Sequence, residues 1–180
     1  MKTSKTKWIA ETAIFIALLV VLQYVTKAMG QFVTGSCVNL ILILSTALAG
    51  LWSGVAVAAI SPFFAFMFGI GPALFQIVPA VALGNVVLVL AWHFVPKLFK
   101  KEDSIAYNLV TAIVAAVVKF LTLYLVIVKL LIPTVLKLPD PQASVMSATF
   151  STPQLITALI GGIIAVIIVP ALKKAVNKSK

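Results

Sequence analysis

Hydrophobic positions run along this chain in long unbroken blocks. They lack the alternation of a half-buried strand and the three-to-four spacing of a surface helix. Blocks of about 20 apolar residues suit helices that cross a bilayer, and they exclude the alternating strands of a membrane barrel. Glycine, proline and charged residues punctuate the blocks and predict six helices, at about 8–26, 37–51, 55–68, 73–94, 105–132 and 154–172. Between them come a two-glycine loop over 27–36, tight turns at Trp52-Ser53-Gly54 and at Gly69 to Pro72, a charged loop over 96–104, and a long loop over 133–153. The second and third helices are short for a hydrocarbon core of about 30 Å, and fusing them would give five helices.

The lysines argue against that fusion. With six helices, both chain ends and the charged loop share one side. That side then holds Lys2, Lys5, Lys7, Lys97, Lys100, Lys101, Lys173, Lys174, Lys178 and Lys180. By the positive-inside rule that side is cytoplasmic, and both termini lie inside. Five helices would part the lysine-rich ends. The apolar stretch after the first lysines is longer than the roughly 7–15 residues of a secretory signal and reads as a first spanning helix.

Composition agrees. Of 180 residues, 62% are hydrophobic and 10% charged, where a soluble domain has about 25% charged. The expected class is all-α, a single polytopic membrane domain. Fourteen lysines, no arginine and four acids give a net charge of +10. Their position at the ends of apolar runs fits an anionic membrane surface and not nucleic acid. One cysteine, Cys37, excludes an internal disulfide and a thiolate metal cluster.

The stretch 61–85 is apolar yet broken by Pro62, Gly69, Gly71, Pro72, Pro79 and Gly84, and it carries Gln76 and Asn85. Backbone freed in hydrocarbon needs partners. This stretch therefore reads as a helix–turn–helix corner, and broken backbone of this kind also lines cavities.

Lys119 falls in the middle of the fifth helix. A central ammonium costs roughly 2.5–3.5 kcal/mol on insertion scales, and no acid lies mid-membrane to pair with it. It therefore points either to a polar cavity with an anionic ligand, or to satisfaction by carbonyls, water or another subunit. Lys129, farther outward, can snorkel. Asn39, Gln76 and Asn85 are amides within helices and suit either interhelical hydrogen bonds or a pocket wall. Gln31, Thr34, Ser36 and Gln154 stand where they can close such a pocket. Tyr24, Phe64, Phe68 and Tyr124 can supply aromatic walls or an interfacial belt. His93 is the sole histidine, sits beside Trp92, and is not read as a metal ligand.

Ala13 and Ala17 stack on one face of the first helix and admit a close partner, either inside the chain or outside it. Gly50 with Gly54, and Gly161 with Ala165, are similar small pairs. Absences matter as well. There is no phosphate-binding GxxxxGK[ST], no HExxH, no GxSxG and no intramembrane carboxylate pair. No catalytic residue, no metal site and no proton-relay acid is expected.

Six helices, inward termini and Ala13-xxx-Ala17 on the first helix resemble the S components of energy-coupling factor (ECF) transporters. The likeness extends to a loop after the first helix, a Gly/Pro corner between the third and fourth, and a long loop before the sixth. It implies a substrate-capture subunit in a prokaryotic plasma membrane, binding a vitamin-like micronutrient from outside. The pocket would be built by the outer parts of helices four to six and the loops after helices one, three and five. It implies docking of a transmembrane coupling subunit at Ala13 and Ala17, and two ATPase subunits that use ATP while this chain holds no cofactor. Lys119, with Lys129 behind it, favours an anionic, pantothenate-like compound. The substrate-binding set is Lys119, Gln76, Asn39, Gln31, Thr34, Tyr124, Gln154 and Asn85. The rival reading is a stand-alone secondary transporter or channel, for which neither an internal repeat nor an intramembrane acid is present.

Overall fold

The structure is a computed structural model that describes residues 5–71, 73–99 and 104–178. Pro72, Lys2, Lys100, Lys101, Lys180 and the two loop acids Glu102 and Asp103 lie outside the described residues. Those that are described form helices and turns and no strand.

Helix α1 spans Lys5–Thr26 and runs into a 3-10 turn at Lys27–Met29. Helix α2 is Gln31–Ala49, α3 is Leu51–Met67 and α4 is Val78–Phe99. Helix α5, Ile105–Leu123, continues as a π-helix over Tyr124–Leu136. Helix α6 is Asp140–Thr149 and α7 is Thr152–Lys178. Five helical segments are long and apolar enough to cross a membrane. The apolar α3, at 17 residues, sits at the short end of the spanning range.

Several boundaries differ from expectation. Residues 31–36 are the first turns of α2, not a loop. A single glycine, Gly30 at φ 84°, links the 3-10 turn to α2, and Gly50 at φ 94° links α2 to α3. Positive φ costs glycine nothing, so one residue reverses the chain at each joint. The second turn therefore falls at Gly50, and Trp52 to Gly54 belong to α3. The corner at Gly69 and Gly71 is present, but the chain then passes through a 3-10 turn at Phe75–Ile77 before α4 starts at Val78. Pro79 thus occupies the first turn of α4, where its missing N–H is harmless. Helix α4 runs past Pro96 to Phe99, α5 with its π extension reaches Leu136, and α7 reaches Lys178.

The largest departure is α6, which occupies half of the long loop expected over 133–153. Pro141 stands in its first turn and Asp140 faces the positive end of the helix.

One apolar core joins α1, α2, α3, α4, α5 and α7 through residues such as Leu19, Leu42, Val57, Leu88, Ala116 and Ala165. A second cluster, with Ile77, Leu123, Ile127, Ile132 and Phe150, packs the α3–α4 corner against the π-helix and the α6–α7 junction. Small residues set the helix spacing. A Cβ on Gly161 of α7 would stand 2.8 Å from Ser36 O and 2.8 Å from Asn39 Cβ on α2. The Gly161–Ala165 pair is therefore an internal packing face, with Ala165 fully buried. Ala13 and Ala17, in contrast, are exposed on the outer face of α1. The inner face of α1 carries Thr12, Leu19, Gln23 and Thr26. Thr12 and Ser53 share a hydrogen bond of 2.7 Å between α1 and α3.

Candidate functional site

A cavity of about 1120 Å³ lies at the end of the bundle where α1 meets α2 and α3 meets α4. Each element contributes for a local reason. The Gly30 joint lets the chain double back, so Lys27, Gln31 and Thr34 stand at one wall. The Gly69–Gly71 corner, too broken to continue α3, forms the facing wall with Phe66, Ile70 and Leu74. Helix α6 supplies a third wall through Gln142, Val145, Met146 and Thr149. Gln31 Nε2 donates to Thr149 O at 2.9 Å and ties α6 to the start of α2. Gln154 Nε2 donates to the same carbonyl at 3.3 Å.

The deep end is polar. Lys119 is 3% exposed, and its Nζ donates to Asn39 Oδ1 at 2.6 Å and to Asn85 Oδ1 at 2.6 Å. Asn39 Nδ2 turns away to Thr157 Oγ1 on α7, at 3.4 Å. Four helices are thereby tied by one buried network. Both amides give oxygen to the ammonium, the only orientation that satisfies an acceptor-less cation. An ammonium has three N–H groups, and the third has no partner among the described residues. Both partners are neutral, so the charge itself is left uncompensated. The cavity wall holds two cations, Lys27 and Lys119, and no acid among the described residues. Lys27 Nζ also lies 5.2 Å from the centre of the Tyr24 ring.

Six of the eight expected substrate residues line this cavity: Gln31, Thr34, Asn39, Asn85, Lys119 and Gln154. Two do not. Gln76 sits in the 3-10 turn, where Ile77 is the buried residue and Gln76 is exposed. Tyr124 lies five residues past Lys119, which turns it far off the lysine's face. It stacks on Phe120 at 5.8 Å, with Lys129 Nζ 5.4 Å from its ring centre. Tyr24, Phe64 and Phe68 are also off the wall. Tyr24 packs edge-on against Phe68 instead, and the aromatic lining comes from Phe66 and Phe150.

The wall also includes residues that the sequence pattern did not single out. Those of α6 are hidden by the expectation of a loop, although Pro139-Asp140-Pro141 is a helix-start signal. Gln23 is a second addition to the expected set. Its spacing with Thr12, Leu19 and Thr26 marks one face of α1 and is readable in the sequence. Among the described residues no group of acidic, histidine or cysteine side chains is positioned to hold a metal ion. His93 accepts from Lys97 Nζ at 2.6 Å at the other end of α4, away from this cavity.

These features define a multi-pass helical membrane protein built around a solute-sized cavity with a lysine- and amide-lined floor. A family model described as the ECF transporter, substrate-specific component, matches residues 7–173, and the chain belongs to that family. No curated protein and no solved structure matches it.

Proposed function

We propose that the cavity captures a small water-soluble anion, a vitamin or related micronutrient of the pantothenate kind, for an ECF importer. The observation that carries this reading is the Lys119 ammonium, buried in the cavity floor with only neutral amide partners. A buried charge is costly unless paired. An anionic ligand supplies the missing charge and takes the third N–H as a charge-assisted hydrogen bond. Lys27 near the mouth adds to the attraction. Asn39 and Asn85 position the ammonium, Thr34 and Gln31 flank the entry, and α6 bounds the ligand from the side.

In this reading the chain spans a prokaryotic plasma membrane with both termini in the cytoplasm, and the cavity end faces outward. Most lysines of the described residues outside the cavity support the orientation, with Lys129 and Lys137 on the cavity side. Lys5, Lys7, Lys97, Lys173 and Lys174 sit at helix ends remote from the cavity. A coupling subunit docks on the exposed Ala13–Ala17 face, and two ATPase subunits hydrolyse ATP. This chain binds and releases; it performs no catalysis and needs no cofactor or metal of its own.

Mass spectrometry of the gently purified protein tests the reading. The expected result is a retained compound bearing a carboxylate or phosphate. A retained cation would overturn the anionic assignment. Uptake by vesicles containing this chain and no ATPase would overturn passive capture in favour of a stand-alone transporter.

A further inference from the structure

The cavity floor contains one more polar side chain, and it is idle. Gln23 is 5% exposed, lines the cavity and makes no side-chain hydrogen bond among the described residues. Its Oε1 is one of two buried side-chain polar atoms without a partner among the described residues. The other is Ser61 Oγ, on α3, one residue before the cavity-lining Pro62. Buried amides are nearly always hydrogen-bonded, so an idle one calls for an explanation.

Its depth matches that of the lysine cluster. Thr34 Oγ1 donates to Thr26 O at 2.8 Å, which levels the outer ends of α1 and α2. From that level Gln23 lies three residues inward on α1 and Asn39 five residues inward on α2. At 1.5 Å per residue the two differ in depth by only about 3 Å. Gln23 on α1, Asn39 on α2, Asn85 on α4 and Lys119 on α5 thus form one polar floor, to which four helices each give one side chain. Three of the four are hydrogen-bonded together, and Gln23 does not take part.

We infer that Gln23 is a specificity-determining residue that binds the ligand beside its anionic group. The inference rests on the anionic reading above and narrows the ligand class. A glutamine amide presents both a donor and an acceptor. A bare carboxylate only accepts, so it can serve the amide N–H but leaves the amide oxygen buried and unpaired. A hydroxyl or a secondary amide serves both. The cavity therefore selects carboxylates that carry a hydroxyl or amide near the acid, over simple apolar carboxylates of similar length. The site also reaches α1, the helix whose opposite face presents Ala13 and Ala17.

Calorimetric titration of the purified full chain with pantothenate and with heptanoate tests this. Pantothenate carries an amide and hydroxyls; heptanoate has only its carboxylate. Wild-type protein should prefer pantothenate. Gln23→Leu should weaken pantothenate about tenfold or more, the worth of one lost buried hydrogen bond, and leave heptanoate unchanged. The ligand-free Gln23→Leu protein should melt at or above the wild-type temperature, because an unpartnered buried amide has been removed. A residue with a merely structural role would show the reverse. Gln23→Asn, which keeps the amide but withdraws it, should likewise weaken pantothenate and leave heptanoate unchanged. Pantothenate binding that falls in Lys119→Met but not in either Gln23 variant overturns this inference alone. Wild-type protein that binds neither compound overturns the carboxylate reading and this inference with it.

Discussion

Lys119 Nζ stands 2.6 Å from Asn39 Oδ1 and so joins α5 to α2 inside the apolar bundle, 80 positions apart in the chain. The contact is that of a cation with a neutral dipole. It solvates the ammonium and leaves its charge in place. With Lys119 protonated, the cavity floor holds a positive charge that its amide partners do not cancel.

Replacing that charge should separate binding from folding. Lys119→Met removes the charge-assisted donor and leaves two asparagine oxygens unpaired, while also removing a desolvated cation. The helical circular dichroism signal should persist. Affinity for an anionic ligand should fall roughly ten- to a hundredfold, from a charged hydrogen bond worth about 1.5–3 kcal/mol. Unchanged affinity would make Lys119 a structural residue.

Supplying the missing counter-charge should act in the opposite sense on stability. Asn85→Asp places a carboxylate where an amide oxygen now lies 2.6 Å from Lys119 Nζ. The internal ion pair neutralises the floor. Thermal stability should hold or rise, and anion binding should weaken more than about tenfold. A variant that binds the anion as tightly as wild type would show that the net charge of the floor is not what the ligand reads.

The close approach of α2 and α7 should be intolerant of bulk. In Gly161→Val the added carbons meet the backbone of Ser36 and Leu40, which cannot rotate away. The helices must part, at a cost of about 1–3 kcal/mol by overpacking. Asn39 is displaced with them, so ligand affinity should drop along with the melting temperature. Retained stability and affinity would mean that the α2–α7 contact is slack.

On the other face of α1, bulk should cost nothing until a partner arrives. Ala13→Trp and Ala17→Trp project from an exposed surface, so binding and melting temperature should stay within error of wild type. Uptake by the assembled transporter should fall to background. Normal uptake in both variants would remove this face from the docking surface.

The tie between α6 and α2 should control exchange of the ligand. Gln31→Ala deletes the 2.9 Å bond to Thr149 O, worth about 0.5–1.5 kcal/mol. Amide hydrogen exchange in residues 140–149 should accelerate roughly two- to tenfold, as should ligand dissociation. Unaltered exchange would show that this bond does not hold α6.

Much of the candidate site is legible in the sequence because burying polar groups in an apolar chain is expensive. Lys119, Asn39 and Asn85 stand out against hydrocarbon neighbours, and the energetic cost of a central ammonium marks Lys119 from the sequence alone. Gln76 stands out equally and is misleading. Its side chain leaves a 3-10 turn whose inward position belongs to Ile77, where the apolar pattern predicts continuous helix. Helix α6 escapes the pattern because a short polar helix carries little apolar periodicity. Its start signals, Asp140 and Pro141, are present, but the same residue types also begin loops.

By itself, then, the sequence determined that the chain lies in a membrane as helices, where most of those helices break, and which side chains are too polar to be there without a reason. Each of these follows from the transfer energy of a residue or the backbone freedom of a glycine or proline, and such properties are local. The tertiary structure decided which polar groups meet. Lys119 finds oxygens 80 and 34 positions away, Gln23 turns inward while Ala13 and Ala17 turn outward, and α6 becomes a wall. These depend on helix rotation and spacing, set by the summed packing of small residues such as Gly161 against distant backbone. A cavity is the space that packing leaves unfilled, and no single stretch of chain encodes it.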